Sequence, residues 1–401
     1  MVSERIGTRT ALPRGEAGAS LPLLLGAFGI FGVVFGVWQV LLADLSRALQ
    51  LSPGPLGAAL SGGVLASLPA MAVGGRAVDR WGLRAVIVGA GLVLSLAYAG
   101  LTMVERYWTL VALLLPFFAA TGVYDVGINA AAMGLERQTG RHVLAPLHAA
   151  FSAGGVAGAL AAGALVAAGV PFRLLYVGVA LVVVGVLLRV WCGELPAAQP
   201  HPARGAGTRF GLYREPALLL VALIATLGFL SEGAMESWSA IYLRSSLALP
   251  VFLGASGVAV FHTAMTAGRL GTAMVVPRLG RRRTVQLAGL LAAGGTTLAL
   301  ATGRAPVILA GFLLVGLALA AVVPVAFSLA GDAAPGQAGQ ASSVVTTMGY
   351  SGFLVGPVLI GGIAELTSLR VGLATIILAG LLMTTLATVG LARRGPGSKQ
   401  C

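Results

Sequence analysis

The sequence predicts an all-helical polytopic membrane protein: twelve transmembrane helices in two pseudo-symmetric six-helix bundles, with both termini in the cytoplasm. Three observations carry this reading. Of the 401 residues, 57% are hydrophobic and only 10% are charged, whereas soluble domains run near a quarter charged. That leaves too little charge to cover a water-facing surface. Apolar runs of about 20 residues or more recur along the chain, and the positive residues between them alternate in density as topology requires.

Residues 1–20 are polar and read as a cytoplasmic tail carrying Arg5, Arg9 and Arg14. The run from Leu21 is too long for a signal-peptide core and is followed by more spans, so it is read as the first membrane helix. The expected spans are 21–45, 54–78, 85–104, 108–134, 146–169, 172–192, 215–243, 250–277, 284–303, 305–330, 338–363 and 369–392. With the N-terminus inside, nineteen Arg and Lys fall on the cytoplasmic side and six outside, and Arg269 lies within a span, accounting for all 26. This asymmetry sets the orientation. It also removes the nucleic-acid partner that a net charge of +13 could suggest, because the charge is spread over many short loops rather than gathered on one face.

The Pro-, Gly- and Arg-rich segment 193–214 divides the chain into a first bundle, 21–192, and a second, 215–392, with a short tail at 393–401. The halves echo each other at a separation of 198. Arg80-Trp81-Gly82-x-Arg84 returns as Arg278-Leu279-Gly280-x-Arg282, and Gly154-x-x-x-Gly158 returns as Gly352-x-x-x-Gly356. Repeated halves around a mid-membrane site are the pattern of secondary transporters. Cys192 and Cys401 are isolated and form neither metal spacing nor a disulfide framework, so no metal and no cofactor is expected. A single lysine, Lys399, against twenty-five arginines points to a GC-rich, bacterial genome and thus to a bacterial cytoplasmic membrane.

Polar groups inside the spans are the candidate functional residues, since each is costly in lipid unless it meets water, a proton or a partner. Span 7 carries Glu232 and Glu236, four apart and on one helix face. Glu232 is placed near mid-membrane and Glu236 in the outer half. Trp238 fits an aromatic cavity wall or, equally, the outer interfacial belt. On span 4, Asp125 and Asn129 share a face, with Asn129 read first as a helix-packing hydrogen-bonder. His148, at the start of span 5, reads as an interfacial or capping residue. Span 8 carries His262, expected as the partner of Glu232. It also carries Arg269, placed by residue count about 10 Å from the level of Glu232, too far for direct contact. On span 11, Gly356-Pro357 reads as a hinge, and Tyr350 and Ser351 as weaker ligand candidates.

Gly75-x-x-x-Asp79-Arg80-x-Gly82-x-Arg84, in the loop after span 2, resembles the signature of the major facilitator superfamily, and the resemblance covers the whole chain. It implies that Asp79 gates the cytoplasmic side in the outward-open state, with Arg80 and Arg84 in the same charge network and Gly82 permitting the turn. Pro277 stands where the second copy would carry its Asp, so only the first half should hold a full latch. The segments YDVGINAAAMGLERQTGR, HAAFSAGG, FLSEGAMESWSAIYLR and MGYSGFLVGPVLIG resemble the rhizopine-transporter-like branch, which is similar to sugar permeases of the fucose type. The arginine of span 4 and the Gly-Pro motif of span 5 that mark drug–proton antiporters are missing.

The resemblance implies a central cavity lined by spans 1, 4, 7 and 10, which carry Gln39, Asp125, Asn129, Glu232, Glu236 and Ser328. The expected function is secondary active transport of a small polar solute (sugar-, polyol- or amine-like) by a monomer, coupled to protons through Glu232 or alternatively Asp125. Export of amphiphiles is the alternative within transport, disfavoured by an aromatic content of 6%. A non-transporting receptor or scaffold leaves the intramembrane acids without a purpose. An enzyme is not expected, since neither HExxH nor GxSxG occurs.

Overall fold

The computed structural model describes residues 14–141, 143–196, 210–334 and 337–391. Residues 1–13, most of the expected linker and the C-terminal tail 393–401 lie outside the described residues. Among the described residues thirteen α-helices follow one another: α1 (Arg14–Ala48), α2 (Pro53–Gly100), α3 (Tyr107–Thr139), α4 (Leu144–Ala167), α5 (Phe172–Cys192), α6 (Pro216–Ile241), α7 (Val251–Leu279), α8 (Arg281–Leu300), α9 (Ala305–Leu319), α10 (Val322–Ala333), α11 (Ala338–Leu366), α12 (Leu369–Leu373) and α13 (Thr375–Gly390). One π turn, Tyr242–Ser246, extends α6.

Ten helical segments among the described residues are long and apolar enough to cross a membrane. Two features account for the difference from twelve. The segment Pro53–Met103 is 51 residues long, about 75 Å if straight, more than twice a bilayer core of ~30 Å. It is broken at Gly82, whose φ of 82° and ψ of 164° are non-helical. Helix α8 is 20 residues long but opens on Arg281-Arg282-Arg283 and carries Gln286, which dilutes its hydropathy.

The sequence echoes correspond to repeated geometry. Gly82 and Gly280 both sit at positive φ, 82° and 75°, where a side chain would be strained. Each turn is followed by an arginine that caps a distant helix end of its own half. Arg84 Nη2 donates to the Gly193 carbonyl after α5 (2.6 Å), and Arg282 Nη2 donates to the Thr388 carbonyl in α13 (2.9 Å). Gly154 packs so tightly on α1 that an added Cβ would lie 2.0 Å from the Gly29 carbonyl oxygen. Gly352 packs the same way on α6, 2.3 Å from the Thr226 oxygen. Close backbone approach through small residues is how helices associate without a hydrophobic driving force. Thus α1 pairs with α4 as α6 pairs with α11.

The two halves meet along α1–α6, α2–α11 and α4–α7. These crossings concentrate toward the end of the molecule where α1 and α6 finish. There Gly57 lies against the Pro357 backbone, Gly163 against Ala255, and the Gly54 N–H donates to Glu365 Oε2 (2.9 Å). Helix α11 runs unbroken through Pro357. Ser61 Oγ on α2 accepts the N–H of Val358 (3.1 Å), so the expected hinge position is also a contact between the halves.

Candidate functional site

A cavity of about 510 Å³ lies between the halves, lined by α1, α2, α3, α4, α6, α7 and α11. Of the expected site residues, Gln39, Asp125, Asn129, Glu232, Glu236 and Tyr350 all line it, joined by His148 and Arg269. The four-residue spacing of Glu232 and Glu236 turns both toward the same space. Trp238 is two residues beyond Glu236, about 200° around the helix. It points away from the cavity and is fully buried in packing, which corrects its expected place in the wall or the interfacial belt.

Glu232 is 7% exposed, and its Oε1 accepts from Arg269 Nη2 at 3.0 Å. This corrects the expectation that depth would keep the two apart. Residue counting places Cα levels along a straight axis, but a guanidinium reaches several ångströms beyond its Cα along its flexible stem. His262 is not the partner of Glu232. Its Nε2 pairs with Gln39 Oε1 at 2.9 Å, across the halves. Asn129 Nδ2 donates to Asp125 Oδ1 and to the Asp125 carbonyl, both at 2.9 Å, so its bond is within α3 rather than to another helix. His148 stacks edge-on against Phe28, ring centroids 5.4 Å apart.

Span 10 was expected in the lining but does not contribute to it. Ser328, on α10, accepts from Arg281 Nη1 at 2.9 Å, and Arg281 also pairs with Asp332 at 2.5 Å. Helices α2 and α11 take its place in the wall. Nine of the 25 lining residues are aromatic, against 26 aromatics in the whole chain. Phe31, Phe35, Trp38, Phe118 and Phe151 line the first half, while Phe229, Tyr350 and Phe353 form a triad on the second with centroids 5.0–5.9 Å apart. A composition averaged over 401 residues hid this concentration.

At the closed end lies a pair that sequence reasoning missed. Arg244, in the π turn, makes a two-pronged ion pair with Asp44 at the end of α1; its Nη2 lies 2.5 Å from Asp44 Oδ1, and its Nη1 meets Oδ2. The Arg244 side chain is 2% exposed, and its stem lies against Gly254 of α7. The signal was available in principle: the two residues stand 200 apart, close to the repeat spacing, at matching ends of matching helices. The loop carrying Asp79, Arg80, Gly82 and Arg84 lies at the opposite end. Asp79, Arg80 and Arg84 are exposed there, and the Arg80 guanidinium sits 6.0 Å from the Trp81 ring centre.

Comparison with known proteins agrees with this geometry. The model of the Major Facilitator Superfamily matches residues 23–295 and 258–400. An uncharacterised MFS-type transporter of Yersinia pestis is 32% identical over 92% of this chain and 94% of its own length. Membrane protein MosC of Rhizobium meliloti is 29% identical over 94% and 93%. Among solved structures, the nucleoside transporter NupG superimposes with a TM-score of 0.81 at 13% identity, covering 92% of this chain and 99% of that one. A bacterial homologue of the human lysosomal transporter Spinster, in an inward-facing and occupied conformation, gives 0.76 at 14%, covering 98% and 100%. The chain belongs to the Major Facilitator Superfamily of membrane transporters.

Proposed function

We propose that this protein is a proton-coupled secondary transporter, acting as a monomer, that carries a small polar solute across a bacterial cytoplasmic membrane by alternating access. Twelve spans follow if the helix is divided at Gly82 and α8 is counted, and the positive-inside bias then puts the end that carries Asp79 and both termini in the cytoplasm. In this reading the conformation is inward-open. The Asp44–Arg244 pair seals the outer side, and Asp79, with Arg80 and Arg84, closes the cytoplasmic side when the halves rock the other way.

The observation that carries the reading is the Glu232–Arg269 pair, set inside an aromatic-walled cavity between the halves. An acid at that depth needs a partner. The Arg269 side chain, 41% exposed against 10% for Glu232, can exchange that partnership with water. Glu232 is the coupling acid, with Asp125 as the alternative. Uptake into proteoliposomes under an imposed pH gradient tests this. Glu232→Gln is expected to lose accumulation against a gradient while keeping solute exchange, and full gradient-driven uptake by that variant would remove the assignment.

The aromatic lining favours one second reading, proton-driven export of amphiphiles. Solute accumulation in inside-out vesicles, with none in right-side-out vesicles, would select it.

A further inference from the structure

The deep end of the cavity holds two polar groups that the coupling mechanism does not use. Glu236 lies one helical turn beyond Glu232, toward the closed end, and receives no hydrogen bond from the described residues. Gln39 lines the same cavity and is 3% exposed. His262 holds its Oε1, which fixes the amide and leaves Nε2 without a hydrogen-bond partner among the described residues. A buried donor left unpaired is costly and calls for an acceptor. By the repeat spacing of 198, Gln39 corresponds to Ser237, so Gln39 and Glu236 lie at about the same level on opposing helices. Phe35 and Trp38 flank Gln39 along α1, and Gly233, against which Phe353 packs, lies one turn before Glu236, with all of these residues lining the cavity.

The formal charges lining the cavity are three carboxylates, from Asp125, Glu232 and Glu236, against one guanidinium, that of Arg269. Arg269 is engaged by Glu232 and Asp125 by Asn129. The remaining carboxylate belongs to Glu236. A cation between it and the aromatic faces would gain both charge pairing and cation–π attraction.

We infer that Glu236 and Gln39 form the recognition site for an organic ammonium bearing a neighbouring oxygen acceptor, with Glu236 taking the ammonium, the Gln39 amide donating to the oxygen and the aromatic walls holding an apolar ring. The site deepens the transport reading and rests on it for its purpose, but binding can be measured without transport. It separates two acids that share one helix face: Glu232 serves coupling, and Glu236 reads the substrate.

Purified full-length protein is titrated with an aminocyclohexanol, the matching cyclohexanediol and cyclohexylamine, read by thermal shift and by quenching of the cavity residue Trp38. The aminocyclohexanol is expected to bind about tenfold tighter than the diol, as one charge-assisted hydrogen bond predicts, and several-fold tighter than cyclohexylamine. Glu236→Gln should collapse the first ratio and Glu236→Asp partly restore it, while Gln39→Leu should collapse the second. Unliganded melting temperatures identify variants that fail to fold, and the wild-type ratios stand without any variant.

Equal binding of amine and diol overturns the proposal, as does an amine preference that survives Glu236→Gln or the absence of any shift with either amine. Binding with the expected ratios but without flux in proteoliposomes upholds the site and removes the transport reading. Flux of neutral solutes with no amine preference overturns the site and leaves transport standing.

Discussion

Two acid–arginine pairs among the described residues, Asp44–Arg244 and Glu232–Arg269, are built differently. Asp44–Arg244 joins the first half to the second, is two-pronged, and its arginine side chain is 2% exposed. Glu232–Arg269 lies wholly within the second half, rests on a single 3.0 Å contact, and its arginine side chain is 41% exposed. A pair that bridges the halves must break when they separate, whereas a pair inside one half can persist through the whole cycle. Location therefore divides the labour: the first can act as a seal and the second as a charge-handling site. Exposure points the same way, because a buried pair tolerates the loss of a partner poorly and a half-exposed one readjusts with water.

Removing Asp44 should give the largest effect. Asp44→Asn leaves Arg244 buried and uncompensated, at a cost of about 3–5 kcal/mol, enough to shift a two-state ratio by a hundredfold or more, since ~1.4 kcal/mol is a factor of ten. In a background with Cys192 and Cys401 replaced by serine, thiol labelling of Ser237→Cys from the side of the α1 C-terminus should rise at least tenfold. The exchange Asp44→Arg with Arg244→Asp should bring it back toward the parent rate. Unchanged labelling in Asp44→Asn would mean that this pair is no seal.

Truncating the two arginines should then separate seal from charge site. Arg244→Ala leaves Asp44 without its partner and should lower thermal stability in detergent markedly. Arg269→Ala should lower it less, because Glu232 faces the cavity and can exchange the lost guanidinium for water, yet abolish pH-gradient-driven uptake. Comparable melting temperatures for the two variants would erase the distinction drawn from exposure.

Modest and equal stability effects are expected at the two turns. Gly82→Ala and Gly280→Ala meet no neighbouring atom within 4 Å, so each should lose only the ~1–2 kcal/mol of a left-handed backbone carrying a side chain. The losses should match, because the turns match. Transport should not match: the first turn is three residues from Asp79 and the second three from Pro277. Equal transport defects in proteoliposomes would argue against a latch confined to the first half.

The long-range plan was legible because it rests on period and spacing. The spacing of 198 located both left-handed turns and both glycine crossings, and Glu232, Glu236, Asp125, Asn129, Gln39 and Tyr350, polar groups inside apolar runs, line the cavity. What stayed hidden depended on quantities a sequence does not carry. The Arg269 contact depends on side-chain reach, which counting along helix axes ignores. The partner of His262 depends on how α7 crosses α1. Trp238 was assigned by residue type, although its angle from Glu236 already turned it to the other face. The aromatic walls escaped a composition argument because composition has no position, and the expected place of Ser328 came from resemblance alone.

The glycine crossings have a consequence for how this cavity can change. Where α1 meets α4 and α6 meets α11, main chain rests on main chain, with no room for even one carbon between them. The positions of the walls are therefore set by residues that do not face the solute. Side chains on the lining can be exchanged while the framework behind them keeps its dimensions, so pocket chemistry is separable from pocket shape. Such a scaffold admits a new ligand by altering a few lining positions, Glu236 and Gln39 first among them, without rebuilding the bundle that holds them.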